Sequence, residues 1–151
     1  MRTAWVWMMA GLVAGRALAQ TPITASSEYD ARYPAACALD GDPGTRWASA
    51  QRAGTPEWLQ VDFGEDVPIN SLAITWERAW AVDYEVQVSP DGQGWTSVRQ
   101  MAGAAGGTQL LEGLNARGRY LRLLCTKPTE FVLYSVWEIA SPDPATAEAI
   151  E

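Results

Sequence analysis

Trp58-Leu59-Gln60-Val61-Asp62-Phe63 places Leu59, Val61 and Phe63 at every second position. This is the period of a strand with one face turned to a core. Working outward from it, comparable runs recur. Ile69 to Trp76 (INSLAITW) follows Pro68, and Tyr84, Val86 and Val88 alternate before Ser89-Pro90-Asp91-Gly92 breaks the run. Trp95 to Val98 and Gln109 to Leu114 come next, separated by a small-residue, Gly-rich stretch, Ala102 to Gly107, that reads as flexible. Tyr120 to Thr126 (YLRLLCT) and Tyr134 to Ile139 (YSVWEI) complete the series. β-Branched and aromatic residues punctuated by Gly, Pro and Asp predict an all-β sandwich of seven or eight strands. No segment sustains a helical period of 3.6.

The 151 residues suit one domain with a real core. There is no histidine, which excludes Ser-His-Asp and Cys-His catalysis and every His-ligated zinc site. Two cysteines cannot make a four-thiolate metal site. A formal charge of −7 argues against a phosphate-backbone reader, so no nucleic-acid partner is expected.

Residues 1–19 read as a signal peptide, with a retained N-terminal anchor as the alternative. Arg2 supplies a basic start, Ala4 to Ala14 an apolar run too short to span a bilayer, and Ala17-Leu18-Ala19 a cleavage site before Gln20. No later stretch is apolar enough for a membrane span, so a secreted or periplasmic protein is expected. Loss of Arg2 and Arg16 would take the formal charge to −9, which disfavours anionic lipid surfaces. In an oxidising compartment Cys37 and Cys125 would be able to pair, and we expect that disulfide; two buried thiols are the alternative. Residues 141–151 form an acidic, Ala-rich tail containing Pro that reads as loose.

One loop carries specific chemistry: Ala38-Leu39-Asp40-Gly41-Asp42-Pro43-Gly44-Thr45-Arg46-Trp47. Two acids one residue apart, a Gly and a Thr hydroxyl form an all-oxygen group of the kind Ca²⁺ accepts. It is not an EF-hand, because counting from Asp40 places Thr45 at position 6 and Gln51 at position 12. A solvated Asp-Gly turn is the alternative.

ALDGDPGTRW, EWLQVDFG, YEVQVSPDGQGW, GRYLRLLCTK and YSVWEI, in that order, resemble the coagulation factor 5/8 type C (discoidin) domain, and within it the bacterial branch grouped with family 32 carbohydrate-binding modules. The resemblance runs from about Ile23 to Ala140, within a domain spanning 20–140. It implies a galactose-binding-like jelly-roll β-sandwich of about eight mostly antiparallel strands, with ligand loops at one end. It also implies a structural calcium ion, held by the Cys37 carbonyl, the Asp40 carboxylate, the Asp42 carbonyl, the Thr45 hydroxyl and carbonyl, the Trp137 carbonyl and the Glu138 carboxylate.

For ligand binding, Trp76-Glu77-Arg78-Ala79-Trp80 resembles a Trp-Glu-x-Ala-Tyr stretch whose acid contacts sugar in some relatives. Glu77 is thus the best ligand residue and Trp80 a stacking platform; a surface ion pair of Glu77 with Arg78 or Arg46 is the alternative. Arg46 matches a contact position, and Glu28, Tyr29 and Asp30 fall in a variable recognition loop. After Lys127, also a candidate, the pattern changes: Val132 and Leu133 stand where relatives have Tyr and Gly, Gln51 replaces an aromatic, and Phe131 is the residue able to compensate. Trp47, Trp58, Trp95 and Trp137 read as core. The expected function is a secreted, non-catalytic, monomeric carbohydrate-binding module. With Glu28, Asp30, Glu77 and Glu130 on its rim, it suits neutral or amino-sugar glycans. The alternative is a protein-interaction or adhesion module binding a surface protein, favoured if Phe131-Val132-Leu133 is exposed. No acid pair falls in a recognisable catalytic motif.

Overall fold

The computed structural model describes residues 22–142 and 150. The expected signal peptide and most of the acidic tail lie outside the described residues. Nine strands follow in chain order: β1 (Ile23–Ala25), β2 (Trp47–Ala48), β3 (Glu57–Ile69), β4 (Leu72–Trp76), β5 (Ala81–Ser89), β6 (Thr96–Met101), β7 (Thr108–Leu111), β8 (Ala116–Pro128) and β9 (Ser135–Ala140). A 3-10 turn, Ala35–Ala38, precedes β2. The strands form a five-stranded sheet in the order β1-β3-β8-β5-β6 and a four-stranded sheet in the order β2-β9-β4-β7. Every described ladder is antiparallel. The expected all-β sandwich is therefore the architecture found. Among the described residues no helix is long and apolar enough to cross a membrane.

The core forms where alternating residues of the two sheets meet. Leu59 and Val61 of β3, Val86 of β5, and Leu121 and Leu123 of β8 face Leu72 and Ile74 of β4 and Val136 and Ile139 of β9, all buried. Each such side chain contributes roughly 1.5–3 kcal/mol on full burial. The run Ile69 to Trp76 divides: Ile69 closes β3 and Leu72 opens β4 in the other sheet.

The tryptophan expectation needs correction. Trp47 is completely buried, its indole N–H donating to the Ser27 carbonyl at 3.0 Å. Trp58, Trp95 and Trp137 are only half-buried, and the Arg122 guanidinium lies over the Trp95 ring at 4.0 Å. Trp76 instead enters the core, donating to Gln109 at 3.0 Å. The disulfide is a second correction. Cys37, half-buried in the 3-10 turn, and Cys125, fully buried on β8, are free thiols. Burial raises the pKa of both, so the buried-thiol alternative describes Cys125.

Candidate functional site

β9 carries a bulge that organises one end of the sandwich. Thr75 of β4 pairs with Glu138 and Trp76 with Val136, so Trp137 is an extra residue without a ladder partner on β4. On the other side of β9, β2 begins with Trp47 paired to Val136. Continuing that antiparallel register places Arg46 beside Trp137 and Thr45 beside Glu138. The Asp40–Thr45 loop is thus laid along β9 where the ladder stops.

Several expected metal-binding residues meet there. The Thr45 hydroxyl donates to Asp40 Oδ2 at 2.6 Å and to the Asp42 carbonyl at 3.2 Å. The Gly41 N–H donates to Glu138 Oε2 at 3.2 Å across 97 residues of chain. Burial, with Asp40 and then Asp42 adding repulsion against the Gly41 N–H, pushes the Glu138 carboxyl up to about 8. The Asp42 side chain turns back to the Gly44 N–H at 2.8 Å, leaving its carbonyl as the oxygen facing Thr45. Among the described residues no group of three or more His, Cys, Asp or Glu side chains is arranged to hold a metal. The donors offered are two carboxylates, a hydroxyl and backbone carbonyls, a hard-oxygen set that fits Ca²⁺ and no soft metal.

Next to this loop lies an open cleft of about 170 Å³, lined by Arg46, Glu77, Arg78, Ala79, Phe131 and Leu133. It is smaller than the roughly 300 Å³ at which drug-sized pockets begin. Ser135, completely buried at the start of β9, builds it. Its N–H donates to the Ala79 carbonyl at 2.8 Å, and its carbonyl accepts the Glu77 N–H at 3.1 Å. Its hydroxyl accepts from Arg46 at 2.7 Å and donates to the Trp47 carbonyl at 2.8 Å. One residue therefore fixes both the Glu77–Ala79 turn and the arginine.

Arg46 is also stacked on Tyr33, 4.2 Å from the ring centroid. Glu77 Oε2 accepts the Ala79 N–H at 3.1 Å, while Oε1 lies 3.8 Å from the freely exposed Arg78. Its carboxylate is oriented yet keeps acceptor capacity. Phe131 is 37% exposed and offers an apolar ring at the rim.

Of the ligand residues expected from sequence, Glu77, Arg46 and Phe131 are brought together and four are not. Trp80 packs against Gly106 and donates to the Ala104 carbonyl at 2.9 Å, so it anchors the 102–107 segment rather than the cleft. Glu28 accepts the Ala35 N–H at 2.9 Å at the head of the 3-10 turn. Tyr29 sits edge-on to Tyr33 at 6.2 Å. Lys127 stands on β8 opposite Asp83. The expected acidic rim is corrected as well, since Arg46 and Arg78 flank Glu77 and Asp30 is paired with Arg32 at 2.7 Å. Ser135 had no site role in the sequence reading, although the YSVWEI motif contains it; Arg78 and Leu133 entered that reading only as parts of the Trp76–Trp80 and Phe131–Leu133 stretches.

Solved structures similar to this one include modules named for, or solved with, a sugar. Chitosan-binding module 1 of a chitosanase/glucanase from Paenibacillus sp. IK-5 is 34% identical, with a TM-score of 0.74 over 80% of this chain and 92% of that one. Module 2 of the same enzyme, solved with chitotriose, is 29% identical, with a TM-score of 0.76 over 80% and 94%. The family 32 module of Clostridium perfringens NanJ, solved with galactose, shares the fold at 20% identity and a TM-score of 0.70, over 80% of this chain and 91% of that one. A polysaccharide lyase 8 family protein, HylA of Enterococcus faecalis, is 32% identical over 88 residues; they cover 56% of this chain but only 6% of that protein. The F5/8 type C domain model matches residues 22–139, and with the carbohydrate-binding-module fold already in place, the chain belongs to the F5/8 type C domain family.

Proposed function

We propose that this chain is an exported, non-catalytic module that holds a neutral or amino-sugar glycan in the Arg46–Glu77–Phe131 cleft. The observation carrying this reading is the Glu77 carboxylate, oriented by the Ala79 N–H with acceptor capacity to spare, between an anchored guanidinium and an exposed aromatic ring. A planar ring to stack on, a carboxylate to accept hydroxyl or ammonium hydrogens and a guanidinium to donate to hydroxyl oxygens are the partners a sugar calls for. The small open cleft suits one sugar unit at a time. With Arg46 and Arg78 beside Glu77 the rim's charge no longer argues for a cationic sugar; the likeness to two chitosan-binding modules is what favours an amino sugar.

Among the described residues that line the cleft Glu77 is the one carboxylate, whereas paired-carboxylate glycoside hydrolysis sets two carboxylates about 5–9.5 Å apart across the scissile bond. That supports binding without turnover. A calcium ion, when bound, would join the Asp40–Thr45 loop to Glu138 and Trp137 through the carboxylates, the Thr45 hydroxyl and the carbonyls of Cys37, Asp42, Thr45 and Trp137. It would neutralise the crowded acids and do no chemistry on sugar. Export rests on the character of residues 1–19.

Titration with chitotriose, its N-acetylated counterpart, galactose and a uronate oligomer tests the reading. Binding of the first two or of galactose is expected, weakened at least tenfold by Glu77→Ala with melting unchanged. Equal binding by the variant would refute the site. Retention of a uronate oligomer alone would refute the ligand class.

A further inference from the structure

Glu57 is the one charged residue among the described residues that is buried, at 1% exposure. The fold does not require an acid there. Glu57 is at the inward-facing position of β3 before Leu59 and Val61, opposite Cys125 on β8, where an apolar side chain would complete the core. A withdrawn charge destabilises unless it is well partnered. Glu57 Oε2 accepts the hydroxyls of Ser26 and of Ser27, the latter at 2.7 Å. Oε1 has no hydrogen-bond partner and faces the half-exposed Arg52, whose Nε lies 3.8 Å away.

The serines pass this anchoring on. The Ser27 hydroxyl accepts the Ala50 N–H at 3.0 Å, and the Ser26 hydroxyl accepts the Trp58 N–H at 2.8 Å. The residues on either side of Ala50 hold the next loop. Ser49 donates its N–H to the Tyr134 carbonyl at 2.8 Å, and its hydroxyl accepts the Tyr134 N–H at 3.0 Å. The Gln51 amide donates to the Phe131 carbonyl at 2.9 Å. That loop contains Val132 at φ +59°, a left-handed conformation that β-branched residues avoid. Such a conformation persists only where surrounding ties over-determine it.

We infer that Glu57 is a positioning residue for the cleft: through Ser27, Ala50 and Gln51 it sets the strained loop that presents Phe131. The inference rests on the proposed glycan site for its effect on affinity, but its effect on the loop does not depend on any ligand.

The test uses Glu57→Gln, Gln51→Ala, Ser27→Ala and the Glu57→Gln/Gln51→Ala double variant. Amide NMR spectra are recorded at each step of a chitotriose titration. Glu57→Gln is expected to shift and broaden the Phe131 and Val132 amides while Val86 and Leu123, on central strands, stay in place. Ser27→Ala, which cuts the relay below the carboxylate, is expected to do the same, and it decides the matter if Glu57→Gln fails to fold. Chitotriose affinity falls about tenfold in either single variant of the pair. The double variant falls no further than the weaker single, because both act along one line. Unmoved loop amides in Glu57→Gln and Ser27→Ala would overturn the inference, as would losses that multiply in the double variant. Failure of the wild-type protein to bind chitotriose would count against the ligand reading, while the loop amides would still decide this one.

Discussion

Gly106→Ala separates a structural Trp80 from a ligand-facing one. A Cβ added at Gly106 would lie 2.7 Å from Trp80 Cδ2 and 2.8 Å from Cε3, closer than real carbon contacts allow. Residue 106 also has φ +74°, which disfavours an L side chain by about 1 kcal/mol relative to glycine. Moving the indole would strain or break its bond to the Ala104 carbonyl, worth about 1 kcal/mol, and disturb packing by a similar amount. The expected loss is thus about 3 kcal/mol. Gly107→Ala is the matched control: φ is +72°, and an added Cβ meets nothing within 4 Å, so only the backbone contribution of about 1 kcal/mol remains. For a domain of this size each kcal/mol lowers the melting temperature by about 4 °C. Scanning calorimetry should therefore show drops of about 12 °C and about 4 °C for the two variants. Equal drops would refute the placement of Trp80 against the 102–107 segment.

Wild-type protein should be more stable in calcium than in chelator, by about 2.7 kcal/mol when the free ion stands at a hundred times its dissociation constant, and should melt correspondingly higher. Asp40→Ala should abolish the difference, and a variant with the same chelator response would remove the ion from this loop. Reductant should leave melting unchanged, because Cys37 and Cys125 are free; a bridge closing so long a loop would have contributed roughly 4 kcal/mol. The Arg119 guanidinium, with help from the Gly64 N–H, holds the Asp62 carboxyl below its ordinary pKa against the effect of burial. Its stabilisation is complete above the unfolded carboxylate range and is lost as pH falls through the lower folded value. Asp62→Asn should therefore melt slightly lower than wild type at neutral pH, with the gap closing in acid and shrinking in salt; a gap that widened in acid would contradict the pairing.

The long strands were legible because burial on one face writes a period of two into the chain, as Leu59-x-Val61 and Leu121-x-Leu123 do. β1 and β2, three and two residues long, are too short to express any period. The same alternation turns Trp58 outward once Leu59 and Val61 face the core, so composition misled where periodicity would not have. Ala102 to Gly107 looked flexible because glycine is permissive, yet Ala104 donates to the Val82 carbonyl at 2.8 Å and Gly106 lies against Trp80. The cleft was legible in part. Glu77, Arg46 and Phe131 carry recognisable chemistry, but what joins the first two is Ser135, 89 residues from Arg46, and what holds the Phe131 backbone is Gln51, 80 residues away; no local pattern encodes partnerships across such distances.

That hub also separates two tasks which adjacency in sequence would suggest are one. Arg46 follows Thr45 directly, so a cation in the Asp40–Thr45 loop would sit one residue from the cleft. Yet Arg46 is fixed from the other side, by the Ser135 hydroxyl and the face of Tyr33, and Glu77 by the Ser135 backbone. Neither restraint passes through the loop. Because Ser135 is held by β2 and β9 inside the sandwich, the placing of Arg46 against Glu77 is a property of the sheet, whereas Asp40, Thr45 and Glu138 bear on how firmly the early loop is fastened to it. Fastening of that kind stabilises the folded state as a whole and leaves the spacing of Arg46 and Glu77 to the strand register.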